Sequence, residues 1–347
     1  MRTYIAYPPL QKSSGGTAVL ENMARHLLAA GHDVVMVPRD PATAPPLSGL
    51  PLHDWNKAAP DTRDIWLVPE GWPSLLLPGL HARARTVIYV QNWAYLPGSV
   101  PDGLCLTDLP LHLLAVSQPV AWHAHAFFGK ADEILRPGID LNRFFTPPRD
   151  PAQALNPDGT VRIAWMPRKN KALAQQIRDM LTARLALRGL PSPEWIPVHQ
   201  LTQDQVAETL RSCHIFLASG FPEGCPLPPL EAMACGCLVV GFGGFGGWDY
   251  MRQAWPDGCT PWWPLRPAGE CPWGGNGLYA ADADTIAAAL ALEYGLALLA
   301  DGGKKLADIR AAAEATAAAY SLQAQEARLR ELWSRVEKGV ALPAFLG

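Results

Sequence analysis

Short apolar runs alternate along this chain with segments whose hydrophobic positions recur at helical spacing. Arg2–Tyr7 reads as a buried strand. After the loop Pro8–Gly16, the stretch Thr17–Ala30 places Leu20, Met23, Ala24 and Leu27 at i, i+3, i+4 and i+7, which predicts a helix with one buried face. Gly31 is suited to end it in the left-handed conformation, and Asp33–Val37 supplies the next strand. Ile65–Val68, Thr86–Val90 and Leu113–Ser117 are further strand candidates. A helix over Gln118–Phe128 and a short strand at Glu133–Leu135 follow them.

The pattern lapses over Arg136–Thr160, where PG, TPPRDP and NPDG carry turn and linker chemistry. It then restarts with a strand at Val161–Met166, a helix over Ala172–Leu187 and a strand at Trp195–Val198. Thr202 and Gln205 can form a capping box for a helix ending near Ser212. Ile215–Ala218, a helix from about Pro228 and a strand at Leu238–Val240 continue the alternation. The last helix, Ser321–Lys338, aligns Leu322, Leu329, Leu332, Trp333 and Val336 on one face, so it has to dock on something. Two halves of one α/β plan predict two doubly wound parallel sheets.

Composition narrows the class. With 347 residues the chain has room for about two domains, and 49% hydrophobic against 18% charged residues describes an ordered chain. The 34 prolines therefore punctuate many short connections. A net charge of −3, evenly spread, argues against a nucleic-acid or polybasic membrane surface. Seven irregularly spaced cysteines without C-x-x-C predict free or buried thiols in a reducing compartment, and no zinc spacing appears. No apolar leader core opens the chain. The one long apolar stretch, Thr285–Ala300, is broken by Glu293 and is largely alanine, so no transmembrane segment is expected. The expectation is a cytoplasmic protein, with peripheral membrane contact left open.

In open α/β sheets, ligands bind beyond the carboxyl ends of the strands. Four loops there stand out. Ser13-Ser14-Gly15-Gly16 lets backbone approach a ligand at a helix start, but it is not G-x-G-x-x-G and equally suits a tight turn. Pro167-Arg168-Lys169-Asn170-Lys171 puts three cations where they oppose the helix dipole, which favours an anionic ligand such as a pyrophosphate. Ser219–Gly236 carries Glu223 on a Gly/Pro loop and Glu231 in the first turns of a helix. A loop carboxylate can hold sugar hydroxyls, and one near a helix start a ribose diol; the plain alternative for Glu231 is helix-start electrostatics. Gly241–Tyr250 is glycine-rich and follows a strand, which by itself reads as a flexible loop. The stretch 248–273 holds five of the 13 tryptophans, suiting sugar faces or capping a core. Asp282-Ala283-Asp284 reads as a helix N-cap, His123 and His125 as packing or surface residues, and Cys235 and Cys237 as buried thiols.

The segment EGCPLPPLEAMACGCLVV (223–240) resembles the E-x7-E signature of the group-1 glycosyltransferases, a retaining family with the GT-B fold. GGTAVLENMARHLLAAGHDVVMV, AVSQPVAWHAHAFFG and RPGIDLNRFF agree with it in order and spacing, so the resemblance covers most of residues 1–280. It implies two Rossmann-like domains facing a cleft. Residues 1–142 would form the acceptor side and 143–160 the linker. Residues 161–320 would bind a nucleotide-sugar, and 321–347 would supply a helix crossing back to the first domain.

The resemblance further places Glu231 on the nucleotide ribose and Glu223 near the donor sugar, with Gly224, Cys225, Pro226 and Leu227 by the sugar and phosphates and the loop Gly241–Tyr250 bordering the donor site. Arg168 with Lys169 or Lys171 would hold the diphosphate, so that neither metal nor cofactor is needed. Gly15, Gly16 and Asn92 would belong to an acceptor or phosphate loop. The partners implied are a nucleotide-sugar donor and a carbohydrate or lipid-linked acceptor, and the reaction a hexosyl transfer in polysaccharide or lipopolysaccharide assembly. Departures are local. Position 173 is leucine where the family sets its lysine, Pro226 lacks an amide, and Tyr89-Val90-Gln91-Asn92-Trp93 holds no histidine. The first leaves open which lysine serves; Pro226 and the missing histidine motivate the alternative of a weak or inactive GT-B-like nucleotide or carbohydrate binder. A nicotinamide-dependent dehydrogenase fits the α/β pattern but lacks its glycine fingerprint.

Overall fold

In the computed structural model of the chain, the strands fall into two sheets whose pairings are all parallel. The structure describes every residue except 11–14, 43–46, 48, 130, 132, 148–158, 255–270 and 339–347. Contacts divide the chain into two units, Met1–Gly138 with Gln323–Gly347, and Ile139–Leu322.

The first unit builds a six-stranded sheet in the order β2-β1-β3-β4-β5-β6. Its strands are β1 (Arg2–Tyr7), β2 (Asp33–Pro38), β3 (Ile65–Pro69), β4 (Arg85–Val90), β5 (Leu111–Ala115) and β6 (Glu133–Ile134). Helix α1 (Gly15–Ala29) buries Leu20, Met23, Ala24 and Leu27, the face its spacing predicts. It ends at Gly31, where φ is +86°. A short helix α2 (Leu77–His81) precedes β4, and α3 (Gln118–Phe128) follows β5. Strand β5 stops two residues before the expected Ser117, because Ser117 turns out of the sheet to accept the amide of Val120 as the α3 N-cap.

The second unit repeats the plan with β7 (Arg162–Trp165), α4 (Lys171–Leu187), β8 (Glu194–Pro197), α5 (Gln203–Arg211), β9 (Ile215–Ala218), α6 (Leu227–Ala234), β10 (Leu238–Phe242), β11 (Gly277–Ala280), α7 (Thr285–Asp301) and α8 (Lys304–Ala319). Its order, β11-β10-β9-β7-β8, is the 2-1-3-4-5 order of the first sheet read from the other edge. The capping box forms, Thr202 accepting from the Gln205 amide and the Gln205 side chain from that of Thr202. Ile139 to Phe144 pack here, with Phe144 buried. The middle of the expected linker lies outside the described residues.

Helix α9 (Leu322–Glu337) buries Leu329, Leu332, Trp333 and Val336 in the first unit. The Trp333 indole donates to Thr3 Oγ1 at 2.9 Å, and Arg328 and Arg335 reach Glu133 of β6 at 2.6 and 3.3 Å. The helix expected to dock does so on the strands laid down first. Among the described residues no single helix is long and apolar enough to cross a membrane; α7 and α8 pass such a test only as a pair bent by 111°.

Candidate functional site

In the second sheet the strand order reverses at β7, whose neighbours are β8 and β9. Helices leaving β7 and β9 go to opposite faces, so their first turns part and open a crevice at the carboxyl ends. The loop 167–171 leaves β7 there and the loop 219–226 leaves β9, the two segments with the richest chemistry in the sequence.

The loops are tied by named bonds. Lys169 Nζ lies 2.5 Å from Glu223 Oε1. Ser219 Oγ donates to the Lys169 carbonyl at 2.7 Å, and Asn170 Nδ2 donates to the carbonyls of Ser219 and Phe221 at 3.0 Å each. Asn170 stands at the N-cap position of α4 with φ +55°, yet its side chain caps nothing and reaches across instead. It forgoes a cap of about 1 kcal/mol. Met166, Lys169, Ser219, Gly220, Glu223 and Pro226 line one small pocket.

Glu223 is also held through its backbone. Its amide donates to the Gly244 carbonyl at 2.9 Å, and its carbonyl accepts from the Gly246 amide at 3.0 Å. Close approach explains the glycines: a Cβ on Gly244 would meet Glu223 Cβ at 2.7 Å, and one on Gly246 the Gly224 carbonyl oxygen at 1.9 Å. The loop 241–250 is thus packed against Glu223, not a flexible flap.

Helix α6 begins at Leu227. Pro228 and Pro229 follow, so only Leu227 brings an amide hydrogen to its first three positions. The Pro226 carbonyl accepts from the buried Tyr250 hydroxyl at 2.6 Å. Glu231, the fifth residue of α6, keeps some exposed surface, but dense protein around its carboxyl pushes the pKa up to about 7, against the charge of Arg143. Arg168 and Lys171 are exposed. The second unit therefore brings Lys169 and Glu223 into direct contact. It leaves Arg168 and Lys171 beside them as solvent-facing cations and sets Glu231 one turn into the helix.

The remaining sequence candidates, Gly15, Gly16 and Asn92, lie in the first unit. Gly15 and Gly16 open α1, while Ser13 and Ser14 lie outside the described residues. The amide side chain of Gln91 packs over α1: a Cβ on Gly16 would sit 3.2 Å from Gln91 Oε1. Asn92 Oδ1 accepts from the Ala94 amide at 3.0 Å and caps the turn Trp93–Ser99. Both are held by a residue that sequence reasoning missed. Glu70, just past β3, accepts the amides of Gln91 and Asn92 at 2.9 Å each. Burial raises its pKa to about 7, with those amides working in the opposite direction. An acidic residue directly after the all-apolar run Ile65–Pro69 was the available signal.

Other expectations resolve locally. Asp284 caps α7 by accepting from the Ala287 amide at 2.9 Å, while Asp282 turns elsewhere and accepts from the Gly244 amide at 2.7 Å. Trp248 and Trp273 pack on the core of the second unit, and Trp255, Trp262 and Trp263 lie outside the described residues. Cys235 and Cys237 are buried thiols, and His123 stacks among Trp93, Phe127 and Phe128.

Comparison with known proteins bears on one segment of the chain and on its fold. Residues 179–254 match the family model "Glycosyl transferases group 1". No curated protein matches the chain in sequence. Among solved structures, a glycosyltransferase from Rickettsia africae superposes with a TM-score of 0.64 at 14% identity, covering 97% of this chain and 98% of the other. Sucrose-phosphate synthase from Thermosynechococcus elongatus gives 0.63 at 13%, covering 97% and 99%. The catalytic domain of starch synthase IV from Arabidopsis thaliana, bound to ADP and acarbose, gives 0.64 at 13%, covering 97% and 99%. Residues 179–254, which span the Glu223 and Glu231 loop and helix, are thus similar to the group 1 glycosyl transferases, within a chain of GT-B fold.

Proposed function

We propose that the protein transfers a hexose-type sugar from a nucleoside diphosphate donor to an acceptor hydroxyl with retention at the anomeric carbon, in polysaccharide or lipopolysaccharide assembly. The observation that carries this reading is the Lys169–Glu223 pair at the switch point, flanked by Arg168 and Lys171. A diphosphate needs cations and a sugar needs hydroxyl acceptors; this crevice offers both within one set of loops. Glu231 would accept the ribose hydroxyls, and Arg168 with Lys171 would hold the diphosphate as charge-assisted donors. Glu223 would accept sugar hydroxyls while Lys169 bridges it toward the phosphates.

The bond between the anomeric carbon and the phosphate oxygen breaks, its electron pair passing to that oxygen. The acceptor oxygen bonds to the same face of the sugar, and its proton goes to the departing phosphate. The cations are worth most at this point, because negative charge grows on the leaving group as the bond lengthens. In the first unit, Gln91 and Asn92 would bind the carbohydrate or lipid-linked acceptor by hydrogen bonds.

The alternative, a GT-B-like binder without turnover, is favoured by one observation. The prolines of α6 leave only one amide hydrogen in its first three positions. Incubation with UDP-, GDP-, ADP- and dTDP-hexoses separates the two: release of free nucleotide from one of them supports the transferase, and binding without release supports the binder.

A further inference from the structure

We propose that Asp282 is a positioning residue for Glu223, and through it for the donor sugar. The inference rests on the reading of Glu223 as the sugar-side carboxylate. Asp282 follows β11 at the outer edge of the second sheet, three strands from β7. Its carboxylate accepts from the Gly244 amide at 2.7 Å, and the Phe245 amide also stabilises the charged form, while burial works the other way and leaves its pKa raised.

Of the two residues it grips, Gly244 bonds Glu223 directly and Phe245 stands opposite it. Gly244 accepts the Glu223 amide at 2.9 Å, and Phe245 pairs with Glu223 as a parallel bridge. Phe245 is held at φ +71° and ψ −61°, a backbone region that a bulky L residue rarely adopts and that persists only where its surroundings fix it. Asp282 on one side and Glu223 on the other are those surroundings. The chain of bonds therefore runs in sheet order. Asp282 beyond β11 holds the loop after β10, that loop holds Glu223 beyond β9, and Glu223 meets Lys169 beyond β7.

Little slack exists in this chain. A Cβ on Gly244 would lie 2.7 Å from Glu223 Cβ and one on Gly246 1.9 Å from the Gly224 carbonyl oxygen, so this loop lies directly on the side chain of Glu223 and the backbone of Gly224. A shift of the Gly244 loop must therefore move Glu223. Capping of α7 does not account for Asp282, because Asp284 performs it.

The test compares the full-length chain with Asp282→Ala, Asp282→Asn and, as control, Asp284→Ala, which removes a helix cap two residues away. Turnover of UDP-, GDP-, ADP- and dTDP-hexoses is read as free nucleotide, and affinity for the matching nucleoside diphosphate is measured alongside. Asp282→Ala is expected to lower kcat at least tenfold, with nucleotide affinity within twofold of the parent. Asp282→Asn, which keeps one acceptor oxygen, is expected to fall between, and Asp284→Ala to keep the parent kcat. Should Asp282→Ala fail to fold, a wild-type kcat in Asp282→Asn overturns the proposal, as does an equal loss in Asp284→Ala. Intact turnover in the parent and in Asp282→Ala overturns this proposal alone. No turnover by the parent of any donor overturns the reading of the site, and this inference with it.

Discussion

Lys169 and Glu223, 54 residues apart in sequence, meet in a salt bridge whose carboxylate side chain is only 14% exposed. The pair divides the three cations of the 168–171 loop into one engaged with the Glu223 carboxylate and two facing solvent. Lys169→Ala is therefore expected to reduce turnover more than nucleotide affinity. Arg168→Ala and Lys171→Ala should each weaken nucleoside diphosphate binding by roughly tenfold or more, in line with about 1.5–3 kcal/mol for a charged hydrogen bond. Calorimetric titration alongside nucleotide-release kinetics distinguishes the two patterns. Equal effects of all three substitutions on affinity would remove the distinction between them.

Glu231 titrates near neutrality because burial opposes its charge, with a pKa of about 7. In the proposed donor site ribose hydroxyls would donate to the ionised carboxylate, so binding would favour that form and affinity should rise with pH, by about tenfold between pH 6 and pH 8. Glu231→Gln should flatten the slope. Donor affinity measured at both pH values in both proteins checks this, and identical slopes would contradict it.

Glu70 gives a stability prediction of opposite sense to the usual salt-bridged carboxylate. Its native pKa of about 7 exceeds the ordinary value of 4.5, so the folded state holds the proton more tightly. Its contribution is present below about 4.5 and is lost as pH rises toward about 7. Over that range the loss is on the order of 3 kcal/mol. Urea unfolding at pH 5 and pH 8 should show wild type losing stability relative to Glu70→Gln. Parallel curves would mean that Glu70 titrates normally.

Trp333 of α9 is 4% exposed and donates to Thr3 of β1. Trp333→Ala should destabilise the first unit by about 3–5 kcal/mol, the usual cost of deleting a large buried aromatic. Denaturant midpoints report it, and a change below about 1 kcal/mol would show that α9 contributes little.

Much of this was legible in the sequence where a local pattern decides the outcome. Strand β9 and helix α3 fall on the residues their apolar runs and caps mark, and the 223–231 spacing pointed to the loop and helix start where both carboxylates sit. Elements with weak contrast were not legible. Helix α8 is so rich in alanine that its buried and exposed faces look alike, and β11 is a four-residue edge strand without alternation. Contacts between distant loops were out of reach for the same physical reason. Nothing near Glu70 announces that its partners are backbone amides 21 and 22 residues further on, and nothing near Lys169 selects it over Lys171 as the partner of Glu223. Such pairs are set by strand order, which periodicity does not encode.

The most direct test of the site is calorimetric titration of the wild-type chain with UDP, GDP, ADP and dTDP beside Glu231→Ala and Arg168→Ala. One of these nucleotides is expected to bind wild type and to lose at least tenfold in affinity on each substitution. Failure of all four to bind, or undiminished binding by both variants, would contradict the assignment of the β7–β9 crevice as the donor site.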